Sequence, residues 1–256
     1  MQIKRIVLFS FILSILVQQG SAQSNARATT ENLNSWFMYF GNHKFSKNVG
    51  WHAEAQLRRN DFVSNAQQLL LRTGIDFYTK SNARITVGYA FIETNPYGDF
   101  AVANAFPEHR IWQQFLTTQS IGKVRLSHRY RLEQRMIGNA STGKFSDGRY
   151  ENRFRYMAKA VINLTGSEKP VFLAAYDEIF INFGSEVAYN LFDQNRLYGA
   201  IGFTFSPNLK LEVGYLNQRV QLRSLDMSTG AARNRIENNH TLQVGLFSTM
   251  SFYKGS

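Results

Sequence analysis

Arginine recurs in this chain at a spacing that could do chemistry. Between 124 and 133, Arg125, Arg129 and Arg131 alternate with Val124, Leu126, His128, Tyr130 and Leu132. Taking every such segment together, thirteen bases share one face: Arg58, Arg72, Arg84, Arg110, Arg125, Arg129, Arg131, Arg135, Arg153, Arg155, Lys159, Arg196 and Lys210. Seven acids accompany them, Glu54, Asp76, Glu108, Glu133, Glu151, Glu212 and Glu237, which leaves six positive charges in excess. A planar guanidinium binds a carboxylate through two parallel hydrogen bonds, so one use of such a face is to clamp opposing walls together. The other is to attract anions into a narrow space. The charged residues expected to line that space are Arg58, Arg72, Glu108, Arg110, Arg125, Arg129, Arg131, Glu133, Arg153, Arg155 and Arg196.

Nucleophilic chemistry is poorly served. Two residues apart on a strand share a face, so a compact Ser–His pair would read His-x-Ser. His43, His52, His109, His128 and His240 are followed at that position by Phe45, Glu54, Ile111, Tyr130 and Leu242. A pair reaching across neighbouring strands, using His128 or His240, is the remaining route to a lipid-modifying hydrolase or acyltransferase. Asp177 and Glu178 are adjacent, so on a strand they point to opposite faces and form no dyad without a bulge. No EF-hand, phosphate-loop or dinucleotide glycine pattern occurs, and the absence of cysteine removes disulfides and thiolate metal sites. We therefore expect no enzyme activity and no cofactor.

The elements that carry these side chains alternate with period two. In 49–58, Val49, Trp51, Ala53, Ala55 and Leu57 interleave with Gly50, His52, Glu54, Gln56 and Arg58. Weaker copies occur at 84–92, 153–162, 197–205, 209–215 and 240–246. Each segment thus has an apolar and a charged face, and no helical period competes. Several run to about ten residues or more, longer than the usual soluble strand of about five or six and long enough to cross a bilayer when tilted. Short turns at Lys80–Ala83, Ser120–Lys123, Gly166–Lys169 and Ser206–Asn208 alternate with long loops at 94–106, 136–149, 183–194 and 222–235. That lopsidedness and the 21 Phe and 12 Tyr fit an antiparallel up-and-down transmembrane β-barrel, an all-β fold. The alternative is a soluble lipocalin-like barrel or β-sandwich with the faces inverted.

Strands are expected near 33–41, 48–59, 66–78, 84–93, 108–119, 123–135, 150–163, 171–182, 195–206, 208–220 and 236–250. Eleven segments cannot close an all-antiparallel ring, so either an extra strand lies in 24–31 or within a long loop, or one of the eleven is not a strand; about twelve strands are expected. Near the chain end, Gln243, Gly245 and Phe247 share a face, and Phe252-Tyr253 resembles the terminal aromatic that barrel-assembly machinery reads, with Lys254-Gly255-Ser256 following.

The N-terminus has Lys4 and Arg5, an uncharged stretch from Ile6 to Val17, and then Gly20-Ser21-Ala22. This reads as a signal peptide spanning 1–22, too short in its apolar core for an anchor. Its removal takes two bases from the formal charge of +11 and leaves residues 23–256 as one barrel domain. Export also removes nucleic acid as a partner, although the chain is basic.

Several short blocks carry a family resemblance. They include Glu108-His109-Arg110-Ile111-Trp112-Gln113-Gln114, His128-Arg129-Tyr130-Arg131-Leu132-Glu133-Gln134-Arg135 and Phe192-Asp193-Gln194-Asn195-Arg196-Leu197-Tyr198. With Glu54–Arg58, Leu69–Gly74, Tyr176–Glu178 and Val213–Gln218, they span about Trp36 to Phe247. Together they resemble the domain-of-unknown-function 2490 family of Gram-negative bacteria. That resemblance implies an outer-membrane barrel and assigns no activity. The expected setting is accordingly the outer membrane, with lipid, lipopolysaccharide and the barrel-assembly machinery as partners and a small anionic solute as the one candidate ligand. The expected role is structural or a small-solute pore, with the lipid-modifying hydrolase and a soluble periplasmic ligand-binding barrel as alternatives.

Overall fold

A computed structural model describes residues 27–79, 83–166 and 170–253. The expected signal peptide lies outside these residues, as do Lys80-Ser81-Asn82 and Ser167-Glu168-Lys169 in two of the expected turns. Eleven strands follow one another: β1 (Arg27–Lys44), β2 (Val49–Asn60), β3 (Asn65–Tyr78), β4 (Arg84–Thr94), β5 (Phe106–Ile121), β6 (Val124–Ile137), β7 (Arg149–Asn163), β8 (Val171–Phe183), β9 (Phe192–Ser206), β10 (Leu209–Asp226) and β11 (Arg233–Ser248). The shortest is 11 residues and the longest are 18.

The alternation decides which way each strand faces. On β3, Leu70, Arg72 and Asp76 are buried, whereas Leu69, Leu71, Ile75 and Phe77 are exposed. A one-residue slip would exchange those sets and drive an arginine and an aspartate outward among leucines, so register is strongly specified. The same parity holds around most of the ring and is interrupted where the register shifts.

The sheet closes on itself in the order β1-β11-β10-β9-β8-β7-β6-β5-β4-β3-β2. The number of strands is eleven, and the expected even count gives way to a parallel seam. A closed ring with an odd number of strands must contain one pair of neighbours running the same way. Here that pair is β1 and β11, in register from Arg27↔Asn234 to Gly41↔Ser248, and the other junctions are antiparallel. Of the stretch considered for a twelfth strand, 24–26 lie outside the described residues and 27–31 are the beginning of β1, which starts at Arg27 and not near 33.

The connections at 45–48, 79–83, 122–123, 164–170 and 207–208 share one rim, the short-turn rim, where 164–170 is the longest. Those at 95–105, 138–148, 184–191 and 227–232 share the other, the long-loop rim, with one tight turn, 61–64. In that turn Asp61 and Phe62 adopt φ of 56° and 60°, the left-handed conformation that closes a short hairpin with the twist of its strands. Because β1 and β11 run in parallel, the chain enters the barrel at the long-loop rim and leaves it at the short-turn rim.

A braced lumen as the candidate functional site

The interior of the barrel holds its charges. Among the described residues eight arginines are buried: Arg58, Arg72, Arg110, Arg131, Arg135, Arg153, Arg155 and Arg196. Glu133 on β6 is wholly buried and lies at the centre. Arg153 donates to it through Nε and Nη2 at 2.9 and 2.6 Å, and Arg155 through Nη1 at 2.8 Å. Arg72, Arg110 and Arg131 stand 3.5, 3.7 and 3.9 Å from its carboxylate. One carboxylate thus answers to five guanidinium groups.

Other carboxylates extend the network. Glu54 accepts two bonds from Arg72, at 2.6 and 2.8 Å. Glu108 accepts from Arg110 and Arg135 at 2.5 and 2.6 Å. Glu178 joins Arg129 to Arg155 at 2.7 and 2.9 Å. Glu151 holds Arg149 at 2.6 Å and Arg223 at 3.0 Å near the long-loop rim. Several links cross between strands that are not neighbours: Arg72 on β3 to Glu133 on β6, Arg153 on β7 to Asp193 on β9, and Lys159 on β7 to Glu212 on β10. Such links brace the wall from within. Removing ions from water is costly, so they hold only because each carboxylate has several partners at short range.

Aromatic rings form the floor of the network. The Arg72 and Arg131 guanidinium carbons lie 5.3 and 4.9 Å from the Trp112 ring centre, and those of Arg153, Arg155 and Arg196 lie 4.3 to 5.2 Å from Phe180. Trp36 carries Arg58 at 3.9 Å and Arg196 at 5.0 Å. A ring face attracts a cation most strongly where water is excluded.

Ten of the eleven charged residues expected inside belong to this interior, as pocket lining or, for Glu133, as the buried hub. Arg125 does not. It lies at the short-turn rim, where Lys123 and Lys210 line a separate hollow with it, because β6 begins at Val124 and its second residue has barely left the turn. The expected surplus of six positive charges also shrinks. Glu178 points inward beside Arg129 and Arg155, while its neighbour Asp177 accepts from Asn195 on the outer face. Asp193 was hidden for another reason. The β8–β9 register shifts between Phe180 and Ile181, so Asp193 and the adjacent Gln194 are both buried. A bulge breaks the parity on which the sequence count relied.

A cavity of about 470 Å³ runs along the network. The 95–105 loop folds over the long-loop mouth above it. Tyr97 donates to Glu237 at 2.9 Å, and Thr30 donates to Asp99. Gly98 has φ +64°, and a Cβ there would stand 2.5 Å from Asn32 Oδ1. Burial, and then the Glu237 carboxylate, push the Tyr97 phenol well above its ordinary range, so it remains a donor.

On the outer face, His128 Nδ1 is 2.8 Å from the Tyr156 hydroxyl and His240 Nδ1 is 2.6 Å from that of Tyr215. His240 Nε2 also lies 3.0 Å from Glu31. Ser127, beside His128, faces the lumen and exchanges a hydrogen bond with Thr118. Among the described residues, then, these two histidines hydrogen-bond to Tyr and Glu, and no group of three or more His, Asp or Glu is arranged to hold a metal.

Residues 33–229 match the family described as protein of unknown function (DUF2490). The chain belongs to this family. An uncharacterised protein of Methylorubrum extorquens is 24% identical over 234 residues, which cover 88% of this chain and 92% of that protein. The family match takes in the strands that supply Glu133 and its five arginines.

Proposed function

We propose that this protein is an outer-membrane β-barrel whose braced lumen makes it a structural component of the bacterial envelope. One observation carries the reading: charge and apolarity are inverted relative to a protein that folds in water. Eight arginines are buried, while Leu33, Phe37, Leu57, Leu71, Ile75, Ile111, Leu197, Ile201 and Tyr215 are each more than two-fifths exposed. In water so large an apolar exterior would drive association. In hydrocarbon it is the favourable outer surface of a closed barrel that leaves no backbone edge unpaired. Lipid and lipopolysaccharide would be its immediate neighbours, and the barrel-assembly machinery its route there. The interior bracing supplies rigidity, which a structural role needs, and calls for no catalytic group.

Fractionation with heat-modifiable gel mobility tests this. The folded protein is expected in the outer-membrane fraction, migrating faster before boiling than after it. Recovery as a soluble periplasmic protein would overturn the proposal.

A second reading, a small anion-preferring pore, is favoured by the arginine excess along the cavity. Single-channel recordings under a salt gradient separate the two. Steps with anion preference support the pore, and a silent bilayer supports the braced barrel.

A further inference from the structure

Two of the eight buried arginines differ from the rest. Arg58 and Arg196 are 8% and 9% exposed, yet among the described residues neither has a carboxylate within 4.0 Å. The other six each have one. Both stand over the same indole, Trp36, on opposite sides of the chain's order: Arg58 from β2 and Arg196 from β9.

Their local settings match. Arg58 Nε donates to Gln56 Oε1 at 3.1 Å, and Arg196 Nε donates to Gln194 Oε1 at 3.1 Å. Each glutamine precedes its arginine by two, so the strand places both on the inner face. The glutamines are neutral. They hold the guanidinium groups in place without cancelling their charge. Arg58 also donates to Gln68 at 2.6 Å. Arg196 has no further hydrogen-bond partner among the described residues, which leaves both of its terminal nitrogens open to the cavity that it lines with Trp36 and Arg58.

We infer that Arg58, Trp36 and Arg196 form a binding site for a small oxyanion, a carboxylate or a phosphate group, inside the lumen. Two like charges beside one ring, with no carboxylate in ion-pair contact with either among the described residues, are unfavourable in a low-dielectric interior unless an anion partners them. An arginine fork presents the geometry that such an anion accepts. Trp36 cannot compete for it, because its own N–H already donates to Gln67 at 2.9 Å. The inference rests on the lumen alone and holds whichever compartment contains the barrel.

The test uses the full-length protein folded in detergent micelles. Inorganic phosphate is titrated at constant ionic strength against chloride, with acetate in a parallel titration to tell phosphate from carboxylate. Binding is read by tryptophan fluorescence and by broadening of the phosphate ³¹P resonance. A saturable response to phosphate or acetate that chloride does not reproduce is expected. Arg196→Gln should weaken it at least tenfold, in line with the loss of one charged hydrogen-bonding group. Arg196→Lys keeps the charge in the lumen and so protects the fold while removing the planar fork. It should weaken binding several-fold, and Arg58→Lys likewise. Responses to both anions that chloride matches would overturn the site, and so would unchanged affinity in both lysine variants. Neither result would alter the membrane assignment, which the gel and fractionation assay reads separately.

Discussion

Arg153 and Glu133 meet across neighbouring strands, with two guanidinium nitrogens of the arginine on a single carboxylate oxygen, at 2.6 and 2.9 Å. The same arginine reaches Asp193 at 2.9 Å, so one side chain ties β6, β7 and β9 together. Glu133 is the common acceptor of this interior, and the arrangement has a weak point. Without that carboxylate Arg131 loses its one ion-pair partner among the described residues, and Arg72, Arg110, Arg153 and Arg155 are left with Glu54, Glu108, Asp193 and Glu178.

Glu133→Gln preserves size and shape and removes the charge. Breaking a buried ion pair by removing one partner costs about 3–5 kcal/mol, because the surviving charge stays buried and uncompensated. We expect a loss of this order in urea unfolding of the micelle-folded protein, followed by the fluorescence of Trp112, over which Arg72 and Arg131 lie. A change within about 0.5 kcal/mol, the level of an ordinary surface substitution, would show that the network is solvated and does not brace the wall.

The outer face makes a separate prediction. Ile201 is 49% exposed and pairs with Leu173 on β8 and Val213 on β10. If these residues face hydrocarbon, Ile201→Arg should destabilise the barrel in lipid vesicles by about 2–4 kcal/mol, the cost of arginine near a bilayer midplane. A soluble barrel with the same isoleucine in water would hardly notice the change. Equilibrium unfolding from vesicles measures the difference, and a neutral result would count against the lipid-facing assignment.

Much of this was legible in the chain itself, and the exceptions have physical causes. A strand was expected near each of the eleven found, and alternation, quoted for seven of them, told the inner face of β6 from its outer face, since Arg129, Arg131 and Glu133 share one parity. Strand count failed as an argument because alternation reports faces and is silent on direction, so the parallel β1–β11 seam left no trace. Asp193 was missed because a bulge suspends the parity there. The aromatic floor was missed for a different reason. Trp36, Trp112 and Phe180 are almost fully buried among charges, and a rule that sends apolar residues outward cannot place a ring whose role is to carry guanidinium groups. The Arg58–Trp36–Arg196 grouping brings together residues far apart in sequence, which only the closed ring makes neighbours.

The parallel seam predicts where the two ends of the barrel lie. Arg27 begins β1 at the long-loop rim, and Ser248 ends β11 at the short-turn rim. If the barrel spans the outer membrane as proposed, an epitope inserted immediately before Arg27 and another at the C-terminus should therefore report its opposite faces. In intact cells, antibody should reach one and require permeabilisation for the other. Equal accessibility of both epitopes in intact cells would contradict the odd-stranded ring and favour an even number of crossings.

The 95–105 loop forms a strap over the long-loop mouth, tied to β11 by Tyr97–Glu237 and to β1 by Thr30–Asp99, and Gly98 between them is the place to test it. At φ +64° an alanine is strained at position 98, and its Cβ would press on Asn32 Oδ1 at 2.5 Å. Gly98→Ala should cost the strap about 1 kcal/mol or more, while the strands, anchored by their ladders, stay intact. Limited proteolysis should then cut faster within 95–105, with heat-modifiable mobility unchanged. Tyr97→Phe should act in the same direction by removing the donor to Glu237. Alkaline pH should mimic it. A phenol whose folded value is raised contributes its stability below the ordinary tyrosine value of 10.0 and loses it as pH climbs beyond that point. Strap protection should thus hold at neutral pH and fade above about pH 10 in the native protein, with no such fading in Tyr97→Phe. Proteolysis rates that ignore both substitutions would mean that the loop is not held to β1 and β11 by these bonds.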